Sequence, residues 1–519
     1  MKAPGSPETG PRRKAAQTMP AEQSAAEGTA RVTHVSSHRA DQVQPVGTGQ
    51  LIRLSRPFSP VEGQGPTGPI ERLMSTVIRK LSWSRLADPK IALTVSGIGL
   101  LLGMLVGATA PNTATSSVRL PLSHLLPSLD QHGFIAMAML YVGDVLACLG
   151  LAGMLWAHSQ GWTPDPRRLL LVSAVIVAVM VSITPVGSSD TGSYAAYGRI
   201  AVQGGNPYTT TPLAWGDTAY TNAVGTIWRS HPSVYGPIAT VIQAFAALIG
   251  GPNVATTIWM LMILNGVMFI GIGYLLLKTS DDPVRATLFW AANPVLIQQL
   301  VSGGHLDTLV AGGAICAIQV ARRVLGIWGD VLTGGLIGLA CGVKINAVLI
   351  GLGLAWALLG RREWMRTARI AVAAVATVAL EYSYYGLDAV RPLFGGLKQV
   401  ILPSPWRLVQ IFGDALGVND RTVTTAIGFL WPIAMLVVTW LIYRRISSDQ
   451  PREVVAPFAL TFAWILTAPW VLAWYTALAW VALTQIPRNR MTRWLAIVTV
   501  ILALWLSNGG HGGPHQAGN

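Results

Sequence analysis

Long apolar runs with almost no charge dominate this chain, and they limit its fold before any other feature does. Residues 91–110, 134–157 and 254–277 match the ~20 residues that an α-helix needs to cross ~30 Å of hydrocarbon. Backbone in lipid must satisfy its hydrogen bonds within its own segment, so such runs commit to helices. Hydrophobic residues make up 51% of the 519 and charged residues 12%, which excludes an ordinary soluble domain. The expected fold class is an all-α polytopic membrane protein. Its nineteen tryptophans suit many helix ends at lipid–water interfaces.

Further spans are expected at 169–186, 286–302, 308–321, 370–386, 422–443 and 494–507, with hairpins at 331–360 and 455–485. Residues 236–250 would reach only ~22 Å at ~1.5 Å per residue, so they read as a re-entrant helix entering from outside. The next run, 254–277, then makes the crossing. Charge supports this choice. The loops it places inside (158–168, 278–285, 322–330, 361–369, 444–454 and 486–493) hold 16 Lys/Arg in 56 residues. Those it places outside (111–133, 187–235 and 387–421) hold 7 in 107. Counting 236–250 as a full crossing would invert that asymmetry. About thirteen transmembrane helices follow, in a multi-pass protein of the cytoplasmic (plasma) membrane.

Residues 1–85 are rich in Gly, Pro, Ser and Arg without a long apolar run, and read as a disordered, basic, cytoplasmic tail. No apolar stretch follows Arg12-Arg13-Lys14, so this is not read as a signal peptide. Residues 86–507 form the transmembrane domain, with a large extracytoplasmic loop at 187–235, and 508–519 form an outer C-terminal tail. The net charge of +14 fits anionic lipid and the inner loops rather than nucleic acid. Cys148, Cys316 and Cys341 sit in apolar spans as small hydrophobes. His305-x-Asp307 and His511…His515 lack the spacing of a zinc site, so no metal is expected. Gly97-Ile98-Gly99 and Gly351-Leu352-Gly353 lie in helices, where small residues permit close packing.

One polar run stands out against this background: Gly187-Ser188-Ser189-Asp190-Thr191-Gly192-Ser193-Tyr194-Ala195-Ala196-Tyr197-Gly198-Arg199. If helical, it puts Asp190, Tyr194 and Tyr197 on one face. Two readings stand for the run alone. Asp190 is a general base for a sugar hydroxyl beside two phenols, or it caps the helix while the tyrosines anchor at the interface.

The topology gathers more polar groups on the same outer side: Arg199, His231 and Tyr235 in the loop, His305 and Asp307 in a turn, Lys344 at a hairpin tip, and Arg407 in the third outer loop. Ionisable groups near membrane depth are costly, so several on one leaflet suggest a site. Simpler roles exist for each. Lys344 can snorkel, Arg407 can bind headgroups, His305 and Asp307 can pair or cap, and His231 can be an ordinary loop residue. The tryptophans near 464–480 read as an aromatic belt.

In order along the chain, Ser189-Asp190-Thr191, Gly205-Asn206-Pro207-Tyr208, Pro232…Tyr235-Gly236-Pro237, Asn293-Pro294, Gly303-Gly304-His305…Asp307, Val343-Lys344 and Pro469-Trp470 carry a resemblance. Residues 169–485 resemble the polyprenol-phosphate-mannose-dependent α-1,6-mannosyltransferases of actinobacterial cell envelopes. The chain departs from their pattern at Gly192, where an aromatic or β-branched residue is frequent, and at Asn206, where an acid is common. The resemblance implies a glycosyltransferase C (GT-C) fold working on the outer face with inversion at the anomeric carbon. It implies a lipid-linked sugar donor and no cofactor, a mannan or lipoglycan acceptor, and a catalytic carboxylate at the position of Asp190. Lys344, then Arg407, is expected to meet the leaving phosphate, with Tyr194 and Tyr197 positioning sugar. The alternative from another class is a transporter or flippase of a lipid-linked saccharide, for which Glu381 inside a span and the depth of Lys344 speak.

Overall fold

The computed structural model describes residues 86–109, 118–127, 133–396, 400–446 and 448–506. Both expected tails, and His511 and His515 with them, lie outside these residues. Regular structure among the described residues is helical, with no β-strand.

Helices α1 (Pro89–Thr109) and α2 (Gly133–Ser159) lie against each other through small residues. A Cβ on Gly99 would come within 2.7 Å of the Gly143 carbonyl, so the two backbones touch. Gly353 abuts the Pro457 backbone in the same manner, whereas Gly97 faces open space. Helix α3 (Pro166–Met180) starts on an Asp165 cap and Pro166. It ends six residues short of the expected 186, because the chain turns there and Thr184 donates its backbone N–H to Ser123 Oγ at 2.9 Å. Helix α4 (Asp190–Val202) follows, then α5 (Pro237–Gly250) and α6 (Val254–Thr279), the last capped by Asn253.

The single span expected at 286–302 is not there. Helix α7 (Pro283–Phe289) stops, Asn293 turns its side-chain oxygen onto the N–H groups of Val295 and Leu296, and a π-helix covers Ile297–Ser302. Pro294 lacks the N–H a continuous helix would need, and Asn293 is restrained from helical geometry by preceding it. The segment is core rather than lipid-facing: Leu288, Phe289, Trp290 and Ala291 are buried, and Trp290 donates its indole N–H to the Phe269 carbonyl.

The remaining long elements are α8 (Asp307–Arg323), α9 (Ile327–Val343), α10 (Val348–Leu359), α11 (Trp364–Tyr382), α12 (Trp406–Ala415), α13 (Asp420–Arg445), α14 (Arg452–Thr467), α15 (Ala477–Leu483) and α16 (Met491–Leu506). The apolar stretches 331–360 and 455–485 are each interrupted, the first at Lys344 and the second between Thr467 and Ala473. Buried Asp330 on α9 receives Arg366 and Arg369 from α11 at 2.8 and 2.6 Å, locking those helices at one end.

Four described helices are long and apolar enough to cross a membrane: α1, α2 from Ile135, α6 and α13. A fifth candidate is α11 joined to 386–393 through a 105° bend. Others, α5, α9 and α16 among them, are apolar but shorter. Only 17% of the apolar stretch of α13 is buried within the protein, so most of its apolar surface faces outward.

Candidate active site

Four interruptions between helices converge to build the site: the start of α4, the turn before α8, the break after α9, and the loop after α14. Asp190 is the first residue of α4, with Ser189 as its N-cap, so the capping role does not fall to Asp190. A carboxylate in the first helical turn is favoured by the positive end of the helix dipole. Asp307 holds the equivalent place on α8.

Close backbone approach brings the pieces together. Gly304 adopts φ +64°, and a Cβ there would come 2.5 Å from Thr191 Cγ2, so only glycine lets this turn sit on α4. Asn265 on α6 donates to the His305 carbonyl at 2.5 Å, and Val186 N–H to the Ser302 carbonyl at 3.0 Å. Gly236 N–H bonds the Val343 carbonyl at 3.1 Å, tying the end of the long loop to the Lys344 break.

The side chains then form a chain of charge. Tyr194 OH donates to Asp190 Oδ2 at 3.3 Å, and His305 Nδ1 lies 3.3 Å from the same oxygen. The His305 ring stacks on Trp474 with centroids 3.7 Å apart. Lys344 Nζ donates to both oxygens of Asp307, at 2.9 and 3.1 Å, and sits 3.9 Å above the Tyr475 ring. Tyr235 packs edge-on against Tyr194. Exposure separates the two acids: the Asp190 side chain is 22% exposed, the Asp307 side chain 2%. Asp190 is therefore the carboxylate an incoming molecule meets. Its Oδ1 has no hydrogen-bond partner among the described residues.

Burial by itself would push the Asp190 carboxyl up. The His305 imidazole, the Lys344 ammonium and the Tyr194 hydroxyl outweigh it and hold the group below the ordinary carboxylate value. Burial, reinforced by the nearby phenols and Asp190, holds Tyr194 and Tyr235 well above the usual phenol range, so both remain donors.

Other expected residues serve elsewhere. Tyr197 OH donates to the His231 carbonyl at 3.0 Å, so Tyr197 braces the loop, and His231 takes part through its backbone. Arg199 bonds Asp217 at 3.2 Å and anchors the same loop to α4. Arg407 donates to Gln410 at 2.9 Å, and among the described residues no contact joins it to Asp190, His305 or Lys344. Asp307 pairs with Lys344 rather than His305, because the His305 ring is turned toward Asp190. Trp474, read from sequence as part of an aromatic belt, instead lines the site, together with Tyr475, for which the sequence offered no reading. Their only sequence signal was proximity to Pro469-Trp470.

The two departures from the resembled pattern have local causes. A side chain on Gly192 would run into the Ala223 carbonyl. Asn206 donates to Asp388 at 3.2 Å, where an acid would face a like charge. Among the described residues no group of three or more His, Cys, Asp and Glu could hold a metal ion.

Comparison with known proteins gives a consistent result. The family described as "alpha-(1->6)-mannopyranosyltransferase, N-terminal domain" matches residues 93–360, just over half of the chain. The chain is 26% identical over 368 residues to alpha-(1->6)-mannopyranosyltransferase B of Corynebacterium glutamicum, covering 67% of this chain and 60% of that protein. It is 23% identical over 408 residues to alpha-(1->6)-mannopyranosyltransferase A of Mycobacterium tuberculosis, covering 72% and 77%. It is 25% identical over 266 residues to a polyprenol-phosphate-mannose-dependent alpha-(1-2)-phosphatidylinositol pentamannoside mannosyltransferase of Mycolicibacterium smegmatis, covering 45% and 60%. No solved structure is significantly similar.

Proposed function

Because this chain belongs to the alpha-(1->6)-mannopyranosyltransferase family, we propose that it moves mannose from polyprenol-phosphate-mannose to a mannan or lipoglycan acceptor, with inversion and with Asp190 as general base. The observation that carries this reading is the state of Asp190. One oxygen accepts from Tyr194 and lies beside His305 Nδ1, the other accepts from none of the described residues, and the carboxyl is held below the ordinary carboxylate value. Oδ1 takes the proton of the acceptor hydroxyl as that oxygen bonds the anomeric carbon and the carbon–phosphate oxygen bond breaks. The leaving phosphate gathers negative charge, and Lys344 is the lysine whose ammonium acts on Asp190, after His305. Two N–H groups of Lys344 are committed to Asp307 and its ammonium lies over the Tyr475 ring, so it meets the phosphate as a point charge. An apolar groove lined by Ile401, Pro403, Ile465, Val471, Val498 and Ile501 suits a polyprenyl tail. The charge asymmetry of the loops supports about thirteen crossings, a cytoplasmic N-terminus and a site on the outer face.

The test is incubation of membranes holding the full chain with labelled polyprenol-phosphate-mannose and short α-mannosides. Labelled, lengthened mannosides are expected. Labelled lipid that crosses a vesicle wall without any new glycosidic bond would overturn the reading in favour of transport.

The pH response follows from Asp190. A carboxyl whose folded pKa is depressed stays charged, and so able to act as a base, until the pH falls through that lowered value; the stabilisation tied to it is full above the ordinary carboxylate pKa and is lost as the pH falls from there through the lowered one. The acid limb of kcat/KM assigned to Asp190 is therefore expected below the ordinary ~3.9. In His305→Gln that limb moves to higher pH, since burial is then less fully offset. A limb that stays put or moves down in the variant contradicts the role given to His305.

A further inference from the structure

Behind His305 lies a recess that the reaction outlined above does not use. It is lined by Asp144 of α2, by Gln298, Gln299 and Ser302 of the π-helix, and by Gly187 and His305. The recess is too narrow for a sugar ring and has room for about one hydroxyl or one water.

Its polar lining is out of place. Asp144 is 3% exposed within an apolar 27-residue helix, a position where an ionisable group is costly. Its Oδ1 meets Gln299 Nε2 only at 3.5 Å, and its Oδ2 has no partner among the described residues. Gln298 is 7% exposed, and neither its amide oxygen nor its amide nitrogen has a hydrogen-bond partner. A buried amide left unpaired costs about 1–3 kcal/mol, so a protein that keeps one needs something to fill it. The amide is also given space. A Cβ on Gly103 or Gly143 would come within 3.3 or 3.4 Å of Gln298 Nε2, so glycines on both α1 and α2 leave room for it. The π-helix supplies the local widening, a feature that recurs at functional sites.

A carboxyl and two amides around a space the size of one hydroxyl, one residue away from the acceptor's base, match the chemistry of carbohydrate recognition. We propose that Asp144, Gln298 and Gln299 form a hydroxyl-recognition subsite, which receives one hydroxyl of the pyranose bound against His305 and so sets sugar specificity. This rests on the mannosyltransferase reading and extends it to residues without a role in proton transfer.

The experiment measures binding to the purified full chain for a short mannoside and its single-deoxy analogues, and for polyprenol-phosphate-mannose with its deoxymannose counterparts. In the wild type, one deoxy position is expected to weaken binding on the order of 10- to 100-fold. In Gln298→Leu and in the near-isosteric Asp144→Asn, the parent sugar weakens, and that same deoxy analogue loses no more than a few-fold relative to it. Affinity ratios within one preparation do not depend on the fraction folded, so poor folding of one variant does not blur the result. Coupling in the acceptor series assigns the hydroxyl to the acceptor, and coupling in the donor series to the donor. If every deoxy analogue loses the same factor in variants and wild type, the recess is a structural water site and the proposal is overturned. Because binding needs no turnover, failure here is separable from failure to transfer mannose, which would strike at the enzymatic reading instead.

Discussion

Asp190→Asn is expected to lower mannosyl transfer by about 10²–10⁴-fold, the range typical of a lost general base, while substrate KM changes little. The substitution is nearly isosteric. Its amide oxygen can still accept from Tyr194 OH, which lies 3.3 Å from Oδ2 in the wild type, so the start of α4 keeps its geometry. What disappears is an oxygen able to take a proton. The same change removes a charge that His305 and Lys344 hold in the ionised form, and their influence gives the carboxylate its depressed pKa. Initial rates with labelled polyprenol-phosphate-mannose, normalised to folded protein, decide the matter. Equal rates from the variant and the wild type would remove Asp190 from catalysis.

Lys344→Met is expected to destabilise the protein by about 3–5 kcal/mol, the scale associated with breaking a buried pair from one side. Asp307 is 2% exposed, both its oxygens accept from Lys344, and its position at the start of α8 offers only partial compensation. A loss of that size is a large share of the ~5–15 kcal/mol that holds a typical domain together. The double variant Lys344→Met with Asp307→Asn removes the stranded charge and should recover most of the stability, because a neutral amide is far cheaper to bury. Activity should not return with it if the ammonium meets the leaving phosphate. Denaturation in detergent read against transfer rate separates the two effects. A single variant as stable as the wild type would deny the pair its structural importance, and a fully active double variant would deny Lys344 its part in the chemistry.

Much of this arrangement could be read from the chain. The apolar runs announced helices, because uncharged stretches of that length leave backbone groups no partner except one another. Asp190 and Tyr194 at i and i+4 share a helical face in any helix, and in the fold the phenol does reach the carboxylate. The interruption at Lys344 was visible as a polar group inside an apolar stretch. Other features were hidden. Asn293-Pro294 falls inside the span expected at 286–302, and the capping asparagine and the missing N–H break it into short pieces buried in the core. Arg407 sat in a loop expected near the others, and the folded chain turns it to Gln410.

The sequence by itself determined that this is a helical membrane protein, and that many of its ionisable residues lie where apolar helices stop. Both follow from local rules of hydrogen bonding and spacing. Tertiary structure alone decided which residues became partners: His305 with Asp190, Lys344 with Asp307, Trp474 beneath the imidazole, and the unpaired amide of Gln298 beside Asp144. Those choices join positions from 37 to well over a hundred residues apart. They depend on how closely glycine-lined backbones approach, and no periodicity in one segment encodes the shape of another.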